Sequence, residues 1–125
     1  MSFDPTTQTI SIVRGDDRVI AFTIPAGYPD GLTVIDIVSG TFTARDRDER
    51  IILASDLVEA VNETTVRVTL THGQTDVAVG QYKADLELQF PGGPDTGPGD
   101  QYAGLLVWTP WTGRLSLAQD QTREP

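Results

Sequence analysis

Residues Thr65 to Phe90 read TVRVTLTHGQTDVAVGQYKADLELQF. In the first part Val66, Val68 and Leu70 point one way while Arg67 and Thr69 point the other. In the last part Tyr82, Ala84, Leu86, Leu88 and Phe90 share one face, and Gln81, Lys83, Asp85, Glu87 and Gln89 share the opposite one. A period of two held over so many residues belongs to β-strands with one dry and one wet face. Between them, Thr71 and Gln74 have the spacing of a capping box, in which each side chain satisfies a free backbone N–H of a helix start. Only one helical turn fits before Gly80 reopens the extended chain.

The same pattern extends in both directions. Thr9–Val13 reads as a strand, the turn residues Arg14-Gly15-Asp16-Asp17 interrupt it, and Arg18–Ile24 resumes with Ile20, Phe22 and Ile24 on one side. Pro25 ends that strand because it cannot donate to a ladder. Gly40–Arg45 and Ile51–Ala54 flank a charged tip at Asp46–Arg50. Leu32–Val38 fits either a strand or an extended crossover, and Leu57–Val61 fits either a short strand or a turn. Tyr102–Val107 and Gly113–Ala118 read as two closing strands separated by Trp108-Thr109-Pro110-Trp111.

Seven to nine short strands spaced by turn signals predict an all-β fold, an immunoglobulin-like antiparallel β-sandwich, with a small closed barrel second. A length of 125 residues suits one domain. Its polar ends are an arm (1–8) and a tail (119–125), and a Gly/Pro-rich loop occupies 91–101. The predicted core is Ile10, Ile12, Ile20, Phe22, Ile24, Phe42, Val66, Val68, Leu70, Tyr82, Leu86, Leu88, Leu105 and Leu117.

Composition narrows the function. The chain has no cysteine, so neither disulfides nor thiolate metal sites hold it together. A net charge of −9 repels a phosphate backbone, which predicts no nucleic-acid partner. Neither a membrane span nor a signal peptide is legible, so the expectation is a soluble chain with no membrane partner. The motifs of P-loop, dinucleotide-binding, zinc-protease and nucleophile-elbow enzymes do not occur.

Several clusters invite a functional reading, and each has a plainer one. Arg14-Gly15-Asp16 is the integrin tripeptide, but glycine at a turn between strands explains it. Asn62-Glu63-Thr64 matches a glycosylation sequon and equally well a turn before a strand. Asp46, Asp48 and Glu49, or Asp95 and Asp100, offer oxygens to calcium without the regular spacing of an EF-hand loop. Asp85 and Glu87 resemble the carboxylate pair of a glycosidase but sit where a wet sheet face needs polar residues. His72, the only histidine, has no partners for a metal site or a triad. Trp108 and Trp111, around a proline, are the strongest contact candidates, either as an interface anchor or as a sugar-stacking pair. The neighbouring loop adds Pro94, Asp95 and Tyr102.

The order of Arg14-Gly15-Asp16, Asp36-Ile37-Val38-Ser39-Gly40, Leu70-Thr71, Gly80-Gln81-Tyr82-Lys83-Ala84-Asp85-Leu86 and Gly113-Arg114-Leu115-Ser116-Leu117 resembles small tailed-phage proteins related to the N-terminal domain of phage baseplate upper proteins. The Gly/Pro-rich loop and the Trp-Thr-Pro-Trp segment depart from that pattern. The resemblance implies an immunoglobulin-like virion component without catalytic residues or cofactors. It would be a tail or baseplate adaptor, multimeric in the particle, contacting other virion proteins through Trp108, Trp111, Pro94, Asp95 and Tyr102. The rival expectations are a capsid decoration or head accessory protein and a carbohydrate-binding module.

Overall fold

The computed structural model describes residues 9–27, 31–92 and 104–119. The arm (1–8), most of the 91–101 loop and the tail beyond Gln119 lie outside them. Eight strands alternate along the described chain: β1 (Thr9–Val13), β2 (Arg18–Thr23), β3 (Ser39–Arg45), β4 (Ile51–Ser55), β5 (Val58–Asn62), β6 (Thr65–Leu70), β7 (Gly80–Pro91) and β8 (Leu105–Ala118). A single 3₁₀ turn, Val34–Asp36, precedes β3, and one turn of helix, α1 (His72–Thr75), separates β6 from β7.

The strands form two facing sheets, β1-β8-β7-β3-β4 and β2-β6-β5. In an immunoglobulin domain the fifth strand lies between the second and fourth, and the sixth between the third and seventh. Here β6 lies between β2 and β5, and β7 between β3 and β8, which is the same arrangement. A second hallmark agrees. The Tyr82 hydroxyl, near the start of β7, donates back to the Ala78 carbonyl at 2.5 Å, the tyrosine corner of that fold.

One pairing departs from the antiparallel expectation: β1 runs parallel to β8, with Thr9 beside Arg114 and Val13 beside Ala118. This follows from the connection. After Val13 the chain leaves the five-stranded sheet through Arg14–Asp17 and enters the three-stranded one as β2, so β1 needs no hairpin partner.

The core lies between the sheets. Val66, Val68 and Leu70 of β6 face Phe42 and Ala44 of β3, Leu86, Leu88 and Phe90 of β7, and Leu115 and Leu117 of β8 in one buried cluster. Alternation placed most of these correctly. Ile10, Ile20 and Tyr82 are only half-buried and pack on the rim. Leu105 is likewise half-buried at the start of β8. Ile12, Phe22, Ile24, Val34, Leu53, Ala84 and Trp111 complete the core among the described residues. Leu57–Val61 resolves as a strand, β5, while 32–38 contributes only the 3₁₀ turn that buries Val34.

Buried polar groups fix the crossings between sheets. Ser55 Oγ donates to the Thr69 carbonyl at 2.7 Å and accepts from the Leu57 N–H at 3.2 Å, holding the step from β4 to β5. Thr75 Oγ1 donates to the Asp16 carbonyl at 2.8 Å, tying α1 to the turn after β1. The capping box forms as read: Thr71 N–H donates to Gln74 Oε1 at 2.9 Å, and Gln74 N–H to Thr71 Oγ1 at 3.4 Å.

Candidate functional site

The Trp-Thr-Pro-Trp segment does not separate two strands; it lies inside β8. Leu86 pairs with Trp111 and Leu88 with Trp108, so the single residue Glu87 faces both Thr109 and Pro110. This is a β-bulge, and Pro110 suits it because it has no N–H to give a ladder. The bulge also settles where the tryptophans go. In an unbroken strand, side chains three positions apart point to opposite faces. The extra residue restores parity, and both rings turn inward.

Trp111 is only 4% exposed and packs between Phe22 and Phe42, at centroid distances of 5.3 and 6.0 Å. Its indole Nε1 is buried without a hydrogen-bond partner among the described residues. Trp108 packs half-buried against the core, 6.4 Å from the Phe90 ring. The two rings therefore serve the interior rather than forming one stacking platform outside. Pro94, Asp95 and Tyr102 lie outside the described residues, as does Asp100.

The polar candidates are each occupied locally. Gly15 adopts φ 84° in the turn after β1, where its N–H approaches the Thr75 carbonyl at 3.4 Å. Arg14 is ion-paired to Asp76 at 3.1 Å. The tripeptide thus forms a tied-down corner, not a projecting loop. Beside it, a shallow cleft is lined by Asp16, Asp17, His72, Gly73 and Asp76. The His72 backbone N–H donates to Asp17 at 2.5 Å, and its ring Nδ1 lies 3.1 Å from the same oxygen. These hydrogen bonds, the backbone one foremost, hold the Asp17 carboxyl below its ordinary pKa.

At the β3–β4 tip, Asp46 accepts from the N–H groups of Asp48 and Arg50 and pairs with the Arg50 guanidinium at 3.1 Å. Desolvation pushes its carboxyl upward, but these N–H donors and Arg50 together prevail and lower it. Asp48 pairs with Arg50 and Glu49 with Lys83, both at 3.3 Å. The carboxylates read as a calcium candidate at this tip are engaged in these local hydrogen bonds and ion pairs. Asp85 pairs with Arg45 at 3.1 Å, and Glu87 accepts from Gln89 at 3.4 Å. Asn62 Oδ1 accepts from Thr64 N–H at 2.9 Å, so the sequon shapes the β5–β6 turn.

One surface went unremarked in the residue patterns: the outer face of the three-stranded sheet. With Phe22, Val66 and Val68 inward, Val19, Ala21 and Thr23 of β2 point outward beside Thr65, Arg67 and Thr69 of β6. From the third strand come Leu57, Glu59 and, in the bulge between Ala60 and Asn62, Val61. Val19, Leu57 and Val61 are 55%, 49% and 54% exposed. The two charges on this face, Arg67 and Glu59, pair with each other. A chain of net charge −9 thus carries a sheet face whose charges cancel, with Val19, Ala21, Leu57 and Val61 set among Thr23, Thr65, Thr69 and the ion pair.

No protein-family model matches the chain, and no curated protein is significantly similar to it. Among the described residues no helix is long and apolar enough to cross a membrane.

Proposed function

We propose that this chain is a non-enzymatic structural protein of a tailed-phage particle, an adaptor of the tail or baseplate that works through contacts with other virion proteins. The observation that carries this reading is the neutral face of the β2-β6-β5 sheet. Scattered exposed hydrophobic residues are ordinary, but three half-exposed aliphatic side chains on one sheet face offer a surface suited to being covered.

Three of the five segments behind the family resemblance support the same reading, because they have structural tasks. Arg14-Gly15-Asp16 forms the corner between sheets, and Leu70-Thr71 ends β6 and caps α1. Gly80 to Leu86 opens β7 and includes the tyrosine corner. A pattern whose residues build the fold, rather than a pocket, fits a protein that acts as a rigid spacer. A carbohydrate-binding role loses its main support, since Trp111 is enclosed by Phe22 and Phe42.

The test is the particle made by the genome that encodes this chain. Quantitative mass spectrometry of purified virions is expected to find the chain at the low copy number of a tail or baseplate ring. Hundreds of copies per particle would replace the tail reading with capsid decoration, and absence from the particle would refute both.

A further inference from the structure

We propose that the outer face of the β2-β6-β5 sheet takes a second copy of this chain, through an isologous two-fold contact centred on Arg67 and Glu59. The inference rests on reading that face as a contact surface and names its occupant. Charge complementarity is the argument. Two copies at −9 each repel one another over most of their surfaces, and this face is neutral.

The charges are also self-complementary. Arg67 and Glu59 sit side by side on neighbouring antiparallel strands. A two-fold axis lying in the interface along the strands, passing between them, sets Arg67 of each copy against Glu59 of the other. The same operation lays Leu57 over Thr69 of the other copy and carries Val19 to the flank of Leu57. An axis across the strands would instead stack Arg67 on Arg67 and Glu59 on Glu59. Charge therefore favours the axis along the strands over the axis across them.

The contact is small. Three strands about 4.8 Å apart carrying three outward residues each cover far less than the roughly 800 Å² per partner of a standard stable interface. Association is accordingly weak in free solution and gains strength when copies are held together in an assembly.

Sedimentation equilibrium of the full chain up to about 1 mM tests this, since that concentration detects millimolar dissociation constants. The expected result is an average mass that rises with concentration toward the dimer. Arg67→Glu alone and Glu59→Arg alone should each remain monomeric, while an equal mixture of the two, or the double variant, should associate again. Circular dichroism checks that each variant is folded. A wild-type chain monomeric throughout, an Arg67→Glu chain that associates like wild type, or a mixture that stays monomeric overturns the proposal. If the free chain is monomeric but the face is protected from solvent labelling in the particle, the second copy is wrong and the contact surface stands. If the chain dimerises as described but no particle contains it, the virion reading fails and the self-contact stands.

Discussion

Replacing Gly40 with alanine tests how closely the two sheets approach. Gly40 sits in β3 opposite Leu88 of β7 and beneath β5 of the other sheet. A Cβ there would lie 2.7 Å from Val58 Cγ1 and 3.0 Å from Leu88 Cδ2. Ordinary carbon contacts are about 3.5–4.0 Å, so β5 or the Val58 rotamer must give way by nearly an ångström. Overpacking of this kind costs about 1–3 kcal/mol. Alanine recovers about 0.4–1 kcal/mol by restricting the unfolded chain, because nothing in the Gly40 backbone requires glycine. The expected net loss is about 0.5–2 kcal/mol, read as a lower urea midpoint at unchanged slope. Val58→Ala alone removes two half-buried methyl groups and costs about 1 kcal/mol. In the double variant the worst contact is gone, while those at 3.0 Å to Leu88 Cδ2 and 3.1 Å to the Cβ of residue 58 remain, so Gly40→Ala should cost clearly less than in the wild type, a coupling of about 1 kcal/mol. Additive losses would refute the argument, since they would mean that Val58 does not set the space above Gly40.

Three further outcomes follow from the packing and the hydrogen bonds. Tyr82→Phe should cost about 1 kcal/mol in chemical denaturation by deleting the corner bond to Ala78, with the sheet signal in circular dichroism unchanged. Trp111→Ala should cost about 3–5 kcal/mol and Trp108→Ala clearly less, because Trp111 is buried between Phe22 and Phe42 while Trp108 is half-buried; equal losses would contradict that difference in burial. Asp17 and Asp46 both titrate below their unfolded value of 3.8. Their stabilisation is therefore fully present above that pH and is lost as the pH falls through their folded pKa values. A thermal-melting series into the acid range should show this loss, and Asp17→Asn with Asp46→Asn should flatten that part of the curve.

Most of the fold was legible because its inner strands obey a strict alternation. Strands β6 and β7 face the opposite sheet on one side and water on the other, so Leu70, Leu86 and their neighbours announce themselves. What alternation does not carry is partner and direction. Nothing in Thr9–Val13 reveals that it runs parallel to β8, because parallel and antiparallel strands share the same period of two. The Trp-Thr-Pro-Trp segment misled for a related reason. A proline suggests a break, and a three-residue spacing suggests opposite faces; one inserted residue cancels both inferences.

The candidate surface was hidden by the same rule that made the fold readable. Leu57–Val61 resisted assignment because it is apolar on both faces: Val58 and Ala60 pack on the core, while Leu57 and Val61 stand exposed. An edge strand facing only water has reason to be polar outside, since exposed apolar edges invite association. Failure of the alternation in a strand that the fold requires is therefore itself a signal. On the proposed reading it marks where a contact constrains the outer face, in addition to the requirement to bury the inner one. On β2 the pattern blurs in the same way at Val19 and Ala21, directly across β6 from Leu57 and Glu59. Two strands far apart in sequence break the rule on adjoining parts of one surface. That coincidence is what the proposal of a covered face rests on.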